Sequence, residues 1–138
     1  MPYRKVMMRP FRTEDEGQLF AVAKLAFAEC DDRRTLTALS RDTVFVAELA
    51  GETAGYVAIE ESAARLRIEQ LCVHPAHEEE GVGTQLLEWA EGYAIASGAD
   101  LLEVVVERGN DRAESFYRGR GFVPSAPDVL ELVLPQAQ

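Results

Sequence analysis

Residues 73–87, VHPAHEEEGVGTQLL, form the stretch that decides the fold of this chain. A strand ends at Val73, a short loop follows, and Gly81 and Gly83 flank the start of a helix. Glycine permits positive φ and lets a ligand approach the main chain without meeting a Cβ atom. The first amides of the helix have no internal partners, so the turn suits a diphosphate. Taken alone, such a Gly-x-Gly turn is more often structural than a phosphate cradle.

A second informative stretch is residues 110–122, NDRAESFYRGRGF. It follows an apolar run at residues 101–106, which is typical of a strand buried on both faces. Asn110 has the donors and acceptors of a helix cap. Phe116 and Tyr117 are adjacent and point about 100° apart on a helix, so one can fill the core while the other faces a cleft. By itself, this pair is more simply explained as two core aromatics.

Hydrophobic periodicity places the remaining elements around these two stretches. The predicted order is β-α-α-β-β-β-α-β-α-β-β, an α+β domain with a mixed central sheet. Thr13 and Glu16 have the spacing of a capping box at the start of the first helix. In the strand over residues 65–73 the alternation slips, which predicts a β-bulge near Glu69 and Gln70. The other strands are predicted over residues 5–9, 43–49, 53–60, 101–106, 122–123 and 129–134.

Composition and charge limit the classes of function. The 138 residues contain no repeat or linker and are predicted to form one domain, residues 1–138. With 14 basic and 24 acidic residues, the net charge of −10 argues against binding to nucleic acid or to an anionic membrane. No apolar run approaches ~20 residues, so no membrane span is predicted. Cys30 and Cys72, without a signal peptide at the N-terminus, are interpreted as reduced thiols of a cytoplasmic protein.

Together the two stretches resemble the GNAT superfamily of N-acetyltransferases, over nearly the whole chain from Lys5 to Leu134. The family pattern is a strand ending in Val-His-Pro, then a loop, Gly-x-Gly and a helix, followed by a second block. This chain carries VHP, GVG and N-x-x-A-x-x-F-Y-x-x-x-G-F in that order. The resemblance implies a GNAT-type α+β fold, with a mixed, mostly antiparallel central sheet flanked by helices.

The resemblance also implies an activity and a site. Acetyl-CoA would be the cosubstrate, without a metal, and a primary amine on a small molecule or a peptide would be the acceptor. The strand ending at Val73 would separate from the next strand, and the pantetheine arm would bind main chain in the gap. Tyr117 would protonate the leaving thiolate, and Glu69 would act as general base. The residues implied in cofactor binding are Leu71, Val73, Glu79, Gly81, Val82, Gly83, Thr84 and Asn110. Homodimers are common in the family.

The run Glu78–Glu80 departs from the family pattern, which usually has Arg or Gln, then Gly, then Arg or Lys at these positions. Carboxylates favour the start of a helix but repel a diphosphate. The main-chain amides do not depend on side-chain identity, so weakened but not abolished cofactor binding is predicted. The alternative is a GNAT-fold binding or interaction module that has lost the reaction.

The remaining candidate residues have simpler interpretations. His74 and His77 have an H-x-x-H spacing beside carboxylates, but no second pair of ligands supports a zinc site. Cys72 is interpreted as a small core residue and not as a nucleophile. Trp89 and Tyr93 lie on one helix stripe, which predicts core positions. Four arginines near the second stretch either meet the 3′-phosphate of CoA or lie in solvent: Arg108, Arg112, Arg118 and Arg120.

Overall fold

The computed structural model of the protein describes residues 4–26, 32–107 and 109–135. Its elements follow the predicted order. The helices are α1 (Glu16–Ala26), α2 (Asp32–Arg41), α3 (Val82–Ala96) and α4 (Asp111–Arg118). The strands are β1 (Met7–Pro10), β2 (Thr43–Leu49), β3 (Glu52–Ser62), β4 (Arg65–Val73), β5 (Leu101–Val105), β6 (Val123–Ala126) and β7 (Val129–Val133). Among the described helices, none is long and apolar enough to cross a membrane.

The strands form one sheet in the order β1-β2-β3-β4-β5-β7-β6. Every neighbouring pair is antiparallel except β4 and β5, which run parallel. One cluster of buried side chains joins the sheet to α3, and a second joins it to α1 and α2. The helices therefore cover both faces of the sheet. This arrangement confirms the expected α+β fold with a mixed, mostly antiparallel sheet.

β4 and β5 separate halfway along β4. Their parallel pairing runs from Arg65 opposite Leu101 to Ile68 opposite Val104, and it ends there. On its other edge, β4 stays paired with β3 as far as Val73. The main chain of the last five residues of β4 therefore faces a gap on the β5 side, as the resemblance implied.

Glu69 forms the predicted β-bulge in β4. Ile68 and Gln70 lie opposite adjacent residues of β3, so Glu69 is the extra residue. A bulge changes the phase of its strand. Ile68 before it and Leu71 after it both pack on the α3 side, whereas Cys72 is fully buried on the side of α1 and α2. The prediction that Cys72 is a small core residue is confirmed.

The capping box predicted for Thr13 and Glu16 is wrong, because Asp15 takes that role. Its carboxylate accepts a hydrogen bond of 2.7 Å from the amide of Arg12. The same carboxylate pairs with Arg9 of β1 through bonds of 2.7 and 2.8 Å. The Arg9 guanidinium holds the pKa of Asp15 below its usual range. Sequence spacing alone did not indicate this partner, since it comes from a different element.

The aromatic stripe on α3 is less buried than its spacing predicts. Trp89 is 40% exposed, so its predicted core position is wrong, and Tyr93 is half-buried. Both rings contact Phe45 of β2 edge to face, with centroids 5.3 and 5.2 Å apart. The fully buried stripe of α3 instead includes Ala90 and Ala94, whose small side chains let the helix approach the sheet.

Candidate active site

The turn before α3 holds two residues in the left-handed region. Gly81, the N-cap of α3, has a φ of 81°, and Glu79 has a φ of 64°. Gly81 is therefore at a position where the backbone conformation favours glycine. α3 begins at Val82, and the amides of its first turn have no acceptor within the helix. These are the groups that the predicted diphosphate site requires.

Packing within the protein does not require glycine at position 83. A Cβ atom on Gly83 would lie 3.6 Å from Cγ2 of Val73 and 3.7 Å from Cζ of Phe116, which are ordinary contacts. Alanine would fit and would favour the helix by roughly 0.5–1 kcal/mol. Glycine instead leaves the main chain of this turn open to the adjoining cleft, which suits a phosphate that approaches closely.

A cleft of about 390 Å³ brings together every residue that the resemblance implied in cofactor binding. We call it the cofactor cleft. Its walls are the end of β4, the turn, the start of α3 and one side of α4. It is lined by Ala26, Leu71, Val73, His77, Glu78, Glu79, Gly81, Val82, Gly83, Thr84, Asn110, Arg112, Ala113, Phe116 and Tyr117.

Tyr117 lines the cofactor cleft and is only 6% exposed. Its ring contacts Phe116 and Phe122, with centroids 5.1 and 5.4 Å away. Burial, with a smaller contribution from Cys72, raises the pKa of the Tyr117 phenol well above its usual range. The phenol therefore keeps its proton at neutral pH and is able to donate it.

Asn110 caps α4 as predicted. Its Oδ1 accepts a hydrogen bond of 3.2 Å from the main-chain N–H of Ala113. The main-chain N–H of Asn110 donates to the carbonyl of Glu107. The side-chain oxygen of Asn110 is thus committed to the cap. The side-chain NH₂ is the part of Asn110 left to contact a ligand in the cleft.

The carboxylates of Glu78–Glu80, which we call the acidic run, have different surroundings. Glu80 lies 3.0 Å from Arg4 and 3.0 Å from Nδ1 of His77. These two partners, Arg4 more than His77, lower the pKa of Glu80. Glu80 does not line the cofactor cleft, whereas Glu78 and Glu79 do. The repulsion of a diphosphate that was expected from three carboxylates therefore comes mainly from Glu78 and Glu79.

The segment before β1 is tied to the turn. The amide of Arg4 donates to the carbonyl of Glu80 at 3.3 Å. Gln85 of α3 accepts from the amide of Val6 at 3.0 Å and donates to the carbonyl of Arg4 at 2.7 Å. These hydrogen bonds hold the Arg4 guanidinium beside Glu80. No local spacing in the sequence indicates this contact.

A second cleft, of about 690 Å³, lies between α2 and the paired strands β3 and β4. We call it the acidic cleft. Gln70 of β4 lines the acidic cleft, and the next residue, Leu71, lines the cofactor cleft. Glu69 therefore lies in the acidic cleft and not among the predicted cofactor-binding residues. The lining residues are Thr37, Ala38, Arg41, Asp42, Thr43, Ile59, Glu60, Glu61, Glu69 and Gln70.

Asp42 is a lining residue that sequence reasoning missed. Burial, together with the charges of Glu69 and Glu60, raises the pKa of Asp42 to about 6, against a smaller opposing effect of Arg41. In the sequence, Asp42 lies between α2 and β2 and belongs to neither of the two motifs. Its surroundings arise only when α2 packs on β3 and β4.

Two of the polar side chains that line the acidic cleft, Glu61 and Gln70, have hydrogen-bond partners. Glu61 accepts hydrogen bonds from Thr43 at 2.5 Å and from the phenol of Tyr93 at 2.8 Å. Gln70 is buried and accepts a bond of 2.6 Å from the phenol of Tyr56. The side chains of Glu61 and Gln70 are thereby fixed in place.

Comparison with known proteins identifies the family. The profile of the acetyltransferase (GNAT) family matches residues 7–122 of this chain. The chain belongs to the GNAT acetyltransferase family.

Two curated GNAT relatives are similar in sequence. An uncharacterized N-acetyltransferase from Archaeoglobus fulgidus is 35% identical over 89 residues, which cover 59% of this chain and 60% of that protein. The streptothricin acetyltransferase of Streptomyces lavendulae is 35% identical over 99 residues, which cover 70% of this chain and 48% of that protein. The matched part is thus less than two thirds of either relative.

A solved GNAT structure shares the fold. The acetyltransferase from Elizabethkingia anophelis, with acetyl-CoA bound, superimposes with a TM-score of 0.81. The superposition covers 94% of this chain and 98% of that one at 15% identity. At this identity the likeness establishes the fold.

The histidines of this GNAT protein have local partners. Nδ1 of His74 accepts a hydrogen bond of 3.0 Å from the amide of Ala76, and His77 is bonded to Glu80. Within residues 4–26, 32–107 and 109–135, no three His, Cys, Asp or Glu side chains are grouped to hold a metal ion.

The arginines of this GNAT protein differ in their relation to the cofactor cleft. Arg112 lines it, with its side chain 77% exposed and 3.8 Å from Glu78. Arg118 pairs with Glu114 on α4, and Arg120 pairs with Glu88 and Glu91 on α3. Cys30 and Arg108 lie outside the described residues.

Proposed function

We propose that this chain transfers an acetyl group from acetyl-CoA to a primary amine by direct attack, without an acyl-enzyme. The observation that carries the proposal is the separation of β4 from β5, which opens a cleft beside the Gly81–Gly83 turn. The family match and the names of the two relatives support it. Acetyl-CoA in the solved GNAT structure supports the choice of donor.

The cofactor cleft has groups that would suit three parts of CoA: the pantetheine arm, the diphosphate and the 3′-phosphate. The main chain at Leu71 and Val73, which lies beyond the last described pairing of β4 with β5, would bind the amides of the pantetheine arm. The main-chain amides from Glu79 to Thr84 would bind the diphosphate. Asn110 would contact the arm through its side-chain NH₂, and Arg112 would meet the 3′-phosphate. The proposed site would thus rely on main chain at positions where the family pattern usually has basic residues.

The protons balance with the residues at hand. A neutral amine attacks the thioester carbonyl, the carbon–nitrogen bond forms and the carbon–sulfur bond breaks. Tyr117 gives its proton to the departing thiolate and recovers one from the nitrogen that becomes the amide. The proton that the ammonium loses beforehand passes to a carboxylate of the acidic cleft, for which we propose Glu69, and then to water. Holding the two reactants in clefts that are both lined by β4 would supply the orientation that direct attack requires.

A thiol-release assay with acetyl-CoA tests the proposal against a panel of acceptors: polyamines, amino acids, peptides and streptothricin. We expect turnover with at least one amine, and a lower kcat for Tyr117→Phe by about tenfold or more. The melting temperature of this variant and its affinity for CoA should stay at wild-type values, because the phenol oxygen is its only change. No turnover with any amine, together with no rise in melting temperature in millimolar CoA, would contradict the proposal.

The second candidate function is a binding module that has lost the reaction. Glu78 and Glu79, which line the cofactor cleft, are the observation that favours it. If the protein is such a module, replacing Glu78 by Arg leaves CoA binding unchanged. If the cleft still serves CoA, the same change tightens binding by roughly tenfold.

A further inference from the structure

Asp42 occupies a fixed position beside the bulge of β4. It directly follows α2, and its amide donates a hydrogen bond of 2.9 Å to the carbonyl of Ala38. Its carboxyl group lines the acidic cleft together with Glu69. The cleft is large enough, at about 690 Å³, to hold an amine of moderate size. Glu69 and Gln70 of this cleft directly precede Leu71 of the cofactor cleft on β4, so we expect an amine bound there to lie near the thioester.

The charges that face Asp42 come from three elements. β3 contributes Glu60 and Glu61, β4 contributes Glu69, and α2 contributes Arg41. Of the described residues that line the cleft, Arg41 is the one with positive charge. Glu61 accepts hydrogen bonds from Thr43 and Tyr93.

We propose that Asp42 is a second catalytic carboxylate, which shares with Glu69 the proton that the acceptor ammonium loses. This inference rests on the proposed function. Two carboxylates that repel each other bind one proton more readily than either would alone. The pair would accept one proton from the ammonium, hold it while the amine attacks the thioester, and release it to water after the product leaves. One proton enters the pair and one leaves it in each turnover.

The surroundings of Asp42 suit this role at neutral pH. A general base works best when its pKa lies close to the working pH. Burial and the neighbouring carboxylates bring the pKa of Asp42 to about 6, from the usual 3.8. At pH 7 Asp42 is therefore ionised and ready to accept a proton, yet it is a stronger base than an exposed aspartate.

The pH dependence of the reaction tests the pair, with the best acceptor from the panel. We expect kcat/KM of the wild type to fall below pH about 6, because the pair then holds a proton before the amine arrives. Asp42→Asn should lower kcat by at least about tenfold with little change in KM. It should also move the acid limb of the pH profile, the fall of kcat/KM at low pH, to lower pH. Glu69→Gln should move the limb to lower pH as well, because it removes the charge next to Asp42. Asp100→Asn, an exposed change of equal charge that lines neither cleft, is the control and should leave the profile unchanged.

Two kinetic outcomes would overturn the proposal. One is an unchanged kcat and an unchanged acid limb in Asp42→Asn. The other is a raised KM for the amine with kcat unchanged, which would make Asp42 a binding residue only.

A titration by carbon NMR of the carboxyl groups tests the pair without turnover. We expect the Asp42 carboxyl to titrate near pH 6 in the wild type, and at least about half a unit lower in Glu69→Gln. If the Asp42 carboxyl titrated near pH 4, and did so equally in the wild type and in Glu69→Gln, the proposed sharing of a proton would be refuted. Acetyl-CoA binding and thiol release by the wild type are measured on the same sample. Failure of the proposed function is thereby distinguished from failure of the pair.

Discussion

Nη1 of Arg4 lies 3.0 Å from Oε2 of Glu80, although the two residues are 76 positions apart in the chain. The pair turns one carboxylate of the acidic run away from the cofactor cleft and neutralises it. This contact explains how a turn with three successive glutamates can remain compatible with a diphosphate. Residues 4–6, the described part of the segment before β1, thereby support the proposed cofactor site without lining the cleft.

Replacing Arg4 by alanine should free the charge of Glu80 and weaken CoA binding by about threefold at low salt. The loss should shrink at ~0.5 M salt, because the effect acts through exposed charges. Isothermal titration with CoA at the two salt concentrations measures the loss of affinity and its dependence on salt. Lys5→Ala removes an equal charge one residue away and serves as the control. Equal losses of CoA affinity in Arg4→Ala and Lys5→Ala would show that the ion pair has no role. Recovery of CoA affinity in the double variant, Arg4→Ala with Glu80→Gln, would support it.

Replacing Glu79 by glycine should stabilise the protein. Glu79 has a φ of 64°, a conformation that costs a residue with a Cβ about 1–2 kcal/mol. Part of the gain is offset because glycine is more flexible in the unfolded chain. Thermal and urea unfolding should show a net gain of roughly 0.5 kcal/mol.

Glu78→Gly is the matched control for the Glu79 variant. Glu78 has a φ of −64°, so glycine there relieves no strain and should cost roughly 0.5–1 kcal/mol. Both variants remove one carboxylate from the cofactor cleft, and both should bind CoA more tightly. A gain in stability for both, or for neither, would show that the left-handed conformation is not the cause.

Gly55 of β3 should not tolerate alanine. A Cβ atom there would collide with the carbonyl oxygen of Cys72 and would lie 3.1 Å from Cδ1 of Leu86. We expect a loss of at least about 2 kcal/mol in urea unfolding, because backbone on β4 must move. CoA binding should weaken too, since Gly55 lies opposite Val73 at the edge of the gap.

Gly92→Ala on α3 is the opposite case and the control. Apart from the backbone of α3 itself and the two neighbouring residues, no atom of the described residues lies within 4 Å of a Cβ atom at this position, and the helix is continuous there. Alanine should stabilise the protein by roughly 0.5–1 kcal/mol and leave CoA binding unchanged. If both glycine variants lost the same stability, the close approach of β3 to β4 would not be the reason.

The stability of the protein should depend on pH through Asp42. Its pKa is about 6 in the folded state, against 3.8 for an aspartate in an unfolded chain, so the folded state holds the proton more tightly. The resulting stabilisation is complete below pH about 4 and is lost as the pH rises through about 6. Asp42→Asn should therefore raise the melting temperature relative to the wild type at pH 8 and not at pH 4. Asp100→Asn should show no such difference, and a constant difference across this range for Asp42→Asn would contradict the shift.

Local patterns in the sequence were enough to predict the part of the site that is made of main chain. The alternation of β4 predicted the bulge at Glu69, and the apolar run of β5 predicted a buried strand. Gly81 and Asn110 predicted the starts of α3 and α4, because the conformation and capping of a helix end depend on a few adjacent residues. The order of these elements, with the family resemblance, then predicted the fold.

Side-chain environments were not predictable in the same way. The neutralisation of Glu80 needs Arg4, the raised pKa of Asp42 needs Glu60 and Glu69, and the exposure of Trp89 depends on where α3 meets the sheet. Burial and charge interactions depend on distances through space between groups far apart in the chain.

The sequence by itself thus determined the strands, the turn and the positions of the main-chain amides, because each is governed by neighbouring residues. Only the tertiary structure decided which carboxylates face a cleft and which are neutralised. That outcome is set by which elements pack together, and no spacing along the chain encodes the distances involved.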